Sequence, residues 1–91
     1  MSIMVIFDVP GMTADQYDRV IHDLEEAGLG APAARQHHIA AAKNDGWLVV
    51  DVWDSPEALE QFAQTLMPVL AKNGVTPPQP QVYPTHNILV R

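Results

Sequence analysis

Asn44-Asp45-Gly46 stands at the middle of the chain, between two runs rich in strand-forming residues. Asn or Asp followed by Gly supplies the left-handed backbone that a tight hairpin needs. The spacing predicts that a strand over His37–Lys43 turns back antiparallel into Trp47–Trp53, the clearest β signal in the sequence. Any fold must be built around this hairpin. On each side of it lies first a helical pattern and then another strand-like run.

On the N-terminal side, Ile3–Val9 is β-branched and aromatic and stops at Pro10-Gly11. Thr13 then offers a capping hydroxyl, with Gln16 three positions on to complete a capping box. Tyr17, Val20, Ile21, Leu24 and Ala27 recur at three- and four-residue intervals, with acids between them, until Gly28 and Gly30. Gly28 to Gln36, with Pro32, reads as a loop. On the C-terminal side, Ser55-Pro56 starts a second helix, with a cap and then proline at its first position. Leu59, Phe62, Ala63, Leu66 and Leu70 form its stripe; Pro68 is expected to kink or shorten it, and Gly74 to stop it. Thr76–Pro80 is a stiff connector, and Val82–Val90 is expected to be the last strand. The order β-α-β-β-α-β predicts an α+β, ferredoxin-like domain over residues 1–91. Its four-stranded antiparallel sheet carries both helices on one face, with the first and third strands central.

Ninety-one residues make one domain with a modest core, and a domain of that size gains from added support. Cysteine is absent, which excludes disulfides and thiolate metal sites and leaves oligomerisation. The net charge of −6 and five scattered cations (Arg19, Arg35, Lys43, Lys72, Arg91) argue against nucleic acid and anionic membranes as partners. Met1–Phe7 lacks a basic leader, and no apolar run approaches the roughly 20 residues that span a bilayer. A cytoplasmic protein is the expectation.

A sheet covered on one side alternates apolar and polar residues. These strands do not. Leu48, Val50 and Val52 form one face of the third strand, and Trp47, Val49, Asp51 and Trp53 the other. The first strand divides into Ile3, Val5, Phe7 and Val9 against Met4, Ile6 and Asp8. The face holding Trp47, Trp53 and Asp51, grouped with Met4, Ile6 and Asp8, is expected to lie away from the helices. It is too apolar for water, so a second copy is expected to cover it, closing two sheets into a two-fold barrel.

Val50-Asp51-Val52-Trp53-Asp54-Ser55-Pro56-Glu57-Ala58-Leu59 resembles the strand-to-helix junction of dimeric α+β barrel proteins. That superfamily includes the antibiotic-biosynthesis-monooxygenase-like and stress-responsive barrel groups, and the whole chain is most similar to its small uncharacterised bacterial members. The resemblance implies a homodimer with a cavity between sheet and helices, and it matches Trp53 to a tryptophan of the monooxygenase and haem-degrading branches. The haem chemistry is not implied. Thr65-Leu66-Met67-Pro68 stands where those members carry a histidine, and Asp8 where they carry an asparagine. The related tautomerases use an N-terminal proline, and this chain begins Met1-Ser2-Ile3.

The candidate chemistry centres on histidines and one carboxylate. His37 and His38 are adjacent on a strand, so one faces the cavity as an acid/base and the other faces away. His86 and Asn87 form a similar pair near the end of the chain. Asn87 shares parity with Tyr83, and a bulge at Pro84 would exchange the two faces. Asp51, between Val49 and Trp53, is the carboxylate placed to accept or donate a proton. Asp8 reads as a strand-end cap and His22 as solvent-facing. Trp53 would form a wall and Tyr83 or Asn87 would orient a substrate. No histidine spacing suits a metal, and no cofactor is expected. Two functions fit: a cofactor-independent, monooxygenase-like enzyme on a small aromatic or carbonyl compound, or a non-catalytic dimer that binds a hydrophobic small molecule.

Overall fold

The computed structural model describes residues 1–91 in the order β1 (Ile3–Pro10), α1 (Ala14–Glu26), β2 (Arg35–Lys43), β3 (Gly46–Trp53), α2 (Pro56–Lys72) and β4 (Gln81–Pro84). The strands form one sheet in the order β2-β3-β1-β4, every neighbouring pair antiparallel. This is the ferredoxin-like α+β arrangement that the element order predicts. Thr13 caps α1 with the expected box: its hydroxyl accepts from the Gln16 amide, and Gln16 Oε1 accepts from the Thr13 amide at 3.0 Å. Ser55 caps α2 through the Ala58 amide at 3.2 Å, with Pro56 at the first helical position. The hairpin forms where expected, but no residue of Asn44–Gly46 is left-handed; Gly46 is required for space instead, because a Cβ there would run into the carbonyl oxygen of Val9.

The ladder register corrects the expected grouping of faces. Val5 is opposite Asp51, Phe7 opposite Val49, and Val9 opposite Trp47, so odd residues of β1 share a face with odd residues of β3. That face packs on the helices. Trp53 is 1% exposed and Val5 fully buried, and they cluster with Ile3 and Leu59. Val9, Met12, Val20, Leu24, Leu70 and Val75 form a second cluster, and Phe7 and Phe62 pack against both. Burying an aliphatic side chain such as Val5 contributes about 2 kcal/mol. The Trp53 indole is thus accommodated inside the subunit, its N–H bonded to Asp51, whereas Trp47 is part-buried on the same face and its indole N–H is buried without a partner. The face away from the helices carries part-buried Met4, Ile6 and Val50 and the buried Val52, flanked by the exposed Ile39 and Tyr83.

β2 starts at Arg35, two residues before the expected His37, and α2 and β4 also differ from expectation. α2 runs through Pro68 to Lys72. Pro68 removes only the one bond to Gln64, it is exposed, and the turn after it is held by Asn73, which accepts Gln16 Nε2 on its carbonyl at 3.2 Å. β4 is only four residues long. Pro84 pairs with Ile3, the first residue of β1, so beyond Thr85, whose amide donates to the Ser2 carbonyl at 3.1 Å, no strand remains to pair with.

Candidate functional site

Three elements bring one hydrogen-bonded chain of side chains together. Asp51 and Trp53 are two apart on β3 and point to the same side, so the Trp53 indole N–H donates to Asp51 Oδ2 at 3.1 Å. β2 pairs His38 directly with Asp51, which sets Nδ1 2.6 Å from Oδ1. From the first turn of α1, the Tyr17 hydroxyl reaches His38 Nε2 at 2.6 Å. A carboxylate only accepts, so Nδ1 of a neutral His38 carries the proton and Nε2 accepts from the Tyr17 O–H. Asp51 is 5% exposed, and each of its oxygens has a donor.

Aromatic stacking fixes the outer end of this chain. The Tyr17 ring stacks on Trp47 at 5.2 Å between centroids, and lies nearly parallel to His38, 7° between planes. Burial raises the Tyr17 pKa above its usual 10.0; Arg35 opposes that shift, while Asp51 and Asp18 add to it. Tyr17 is therefore a neutral phenol at physiological pH.

These groups open onto a cavity of about 80 Å³ between sheet and helices. Twelve of its sixteen lining residues are hydrophobic, among them Phe7, Leu24, Phe62 and Leu66; its polar members are Tyr17, Arg35, His38 and Asp51. An apolar pocket with a few convergent polar groups is the usual form of a small-molecule site; this one is smaller than the roughly 300–1,000 Å³ typical of such sites, so a ring-sized ligand has to spread its walls.

His38 and Asp51 are joined directly, and Trp53 braces Asp51 from the buried side; packed among Ile3, Val5 and Leu59, it does not line the cavity and forms no wall for a ligand, contrary to expectation. His37 is opposite Val52 and so points to the uncovered face. Tyr83, opposite Met4, is exposed on that face, its hydroxyl donating to Gln81 Oε1 at 3.3 Å. His86 and Asn87 lie beyond β4, exposed and outside the cavity, because the sheet ends before them. Asp8 pairs with Lys43 at 2.9 Å, and His22 with Glu26 at 3.0 Å on the α1 surface.

Two cavity residues were not singled out from sequence. Tyr17 reads there as part of an apolar helical stripe, though it is the stripe's one member with a polar tip, which a buried tyrosine must satisfy. Arg35 falls in an expected loop, and only the structure shows that it belongs to β2.

The fold is shared with two crystal structures. One is of a protein from Chloroflexus aurantiacus J-10-fl inferred to be an antibiotic biosynthesis monooxygenase, with a TM-score of 0.66, 18% identity and 100% of both chains covered. The other, inferred to have the same role, is from Deinococcus radiodurans, with a TM-score of 0.61, 13% identity, and 100% of this chain and 98% of that chain covered. No family model matches the chain, and no curated protein matches it in sequence. The fold is thus that of antibiotic-biosynthesis-monooxygenase-like structures. No helix is long and apolar enough to cross a membrane.

Proposed function

We propose that the protein is a cofactor-independent, monooxygenase-like enzyme acting on a small aromatic or carbonyl compound. The observation that carries this reading is the Tyr17–His38–Asp51 chain at the wall of an apolar cavity. A phenol backed by an imidazole and a buried carboxylate moves protons well. Tyr17 takes the proton of an acidic C–H while its own hydroxyl proton passes to His38 Nε2. Asp51 then stabilises the imidazolium, and Trp53 keeps Asp51 in place. The resulting carbanion is electron-rich enough to reduce dioxygen itself. In the net conversion a methylene carbon and dioxygen give a ketone and water, and the oxygen atoms, hydrogens and electrons balance without a further reductant.

The working unit in this reading is a homodimer. Ile39 is 64% and Tyr83 48% exposed on the uncovered face, beside Met4, Ile6 and Val50. A patch of that kind supports sheet-to-sheet pairing with a second copy.

The test uses 2-indanone, a neutral aromatic ketone with acidic α-protons. Deuterium exchange followed by proton NMR is expected to be faster with protein than in buffer, and to fall about a hundredfold or more in Tyr17→Phe and His38→Ala variants that keep the wild-type circular dichroism. Oxygen uptake by the same sample reads the second half of the reaction. If the wild-type protein accelerates neither process yet binds 2-indanone, the second reading holds: a non-catalytic binding module, which the largely apolar lining of the cavity favours.

A further inference from the structure

A single irregularity in the sheet decides which charge enters the cavity. Along β2, Arg35 pairs with Trp53 and His37 with Val52, so two steps on β2 match one step on β3 and Gln36 is the extra residue. Arg35 and His38 are three apart and would face opposite sides of a regular strand. The bulge at Gln36 turns Arg35 to the helix side, and both residues line the same cavity. Bulges that re-aim a side chain in this way are characteristic of binding and active sites.

Arg35 arrives there without a direct ion-pair partner in the protein. One guanidinium nitrogen, Nη2, donates to the Gly30 carbonyl at 3.0 Å, and this contact steers the side chain without neutralising it. None of the ion pairs in the molecule includes Arg35. Asp51, the carboxylate lining the same cavity, has both oxygens committed to His38 and Trp53. Asp54, at the adjoining strand end, accepts from Gln36 Nε2 at 2.8 Å. Arg35 is also close enough to Tyr17 to act on its ionisation. The cavity therefore holds one cation, Arg35, whose remaining guanidinium N–H groups have no protein acceptor, and one carboxylate, Asp51, whose two oxygens are turned to His38 and Trp53.

We propose that Arg35 is the anchor for an anionic group, so that the natural ligand is a small apolar monoanion, such as an aryl-substituted carboxylate. This rests on the reading of the cavity as a ligand site and specifies its substrate class. The planar guanidinium suits a carboxylate or an enolate oxygen. The apolar walls take the hydrocarbon part, and the reacting carbon then lies between Arg35 and the Tyr17 hydroxyl. The same charge favours the carbanion that proton removal creates.

The test is a binding comparison that needs no turnover. The full chain is titrated with 3-phenylpropanoate and with 3-phenylpropanamide, which share size and shape and differ in charge, with binding read from shifts of the cavity amides by NMR. The carboxylate is expected to bind about tenfold or more tightly than the amide, as a charge-assisted contact should give. In Arg35→Met the difference is expected to collapse, and in Arg35→Lys to survive in part. Equal binding of acid and amide by the wild-type chain, or no binding of either, overturns the anchor, and does so even if both variants fail to fold. Exchange of 2-indanone separates this outcome from failure of the enzymatic reading: a chain that exchanges the ketone but ignores the carboxylate is an enzyme without an anion anchor. One that binds the carboxylate and exchanges nothing is an anion-binding module.

Discussion

Asp51 and His38 meet because the backbone ladder pairs them residue to residue, and their 2.6 Å contact needs no long side-chain reach from either. The ladder thereby orients the imidazole. With Nδ1 held by the carboxylate, Nε2 is directed at Tyr17, and the tautomer that can accept the phenolic proton is selected. A histidine at the same position with a free Nδ1 would have no such preference.

Asp51→Asn tests this arrangement. The amide offers one acceptor oxygen to two donors, His38 Nδ1–H and Trp53 Nε1–H, and presents its own N–H₂ to the other. Either the indole loses its partner or His38 changes tautomer. A stability loss of about 1–3 kcal/mol is expected in urea unfolding, since a buried donor is left unpaired. Nitrogen-15 chemical shifts of the imidazole read the tautomer directly, and an unchanged Nδ1–H form with full exchange activity would remove Asp51 from its assigned role.

Tyr17 makes a prediction about alkaline pH. Burial raises its pKa above 10.0, so the folded chain holds the phenolic proton more tightly than the unfolded chain. The unfolded state releases that proton first as pH rises. The contribution to stability is therefore complete below about pH 10 and is lost as pH climbs through the folded-state value. Tyr17→Phe, which cannot ionise, is expected to lose less stability than wild type between pH 9 and 11, as read by thermal melts across that range. Parallel declines in the two proteins would show that another group governs the alkaline limit.

Most of the fold was legible from local chemistry. The Thr13–Gln16 box, the Asn44–Gly46 turn and the Ser55-Pro56 start all depend on neighbours in sequence, and they fixed the element order. What depends on register was not legible. Strand parity divides β3 into two faces but does not say which one meets the helices, and here the indole face does. The bulge at Gln36 leaves no mark in residue type, so Arg35 could not be assigned to the cavity. Of the site, Asp51 and His38 were visible as candidates, and Trp53 was visible in the wrong role, as a ligand wall instead of a buried donor to Asp51; Tyr17 was not visible, because an aromatic ring on a helical stripe serves a core equally well.

Pro68 offers a separate check on the helix. It lies on the exposed side of α2 and removes one backbone bond, four residues before the last helical residue, Lys72. Pro68→Ala restores an N–H that can donate to the Gln64 carbonyl and relieves the ring's clash with that turn. A gain of about 1–2 kcal/mol in unfolding free energy is expected, less than the roughly 3 kcal/mol propensity difference because the helix has already accommodated the ring. A loss of stability would mean that the proline restricts the unfolded chain by more than its missing bond costs the helix.

The uncovered sheet face makes the prediction with the largest physical signal. Met4, Ile6 and Val50 are aligned across β1 and β3, with Val50 opposite both Ile6 and Ile39 near the centre of the sheet. If two copies meet here, sedimentation at micromolar concentration should give about twice the 10.0 kDa chain mass. Val50→Asp then sets two unpaired carboxylates, one from each copy, near the two-fold axis of a desolvated interface, at a cost of several kcal/mol that a small dimer does not withstand. The variant is expected to sediment as a monomer. It should also keep its fold, because Val50 points away from the helices and the Trp53 cluster. The pair of outcomes is what matters: a wild-type chain that sediments as a monomer removes the dimer, whereas a Val50→Asp chain that still dimerises places the interface elsewhere on the molecule.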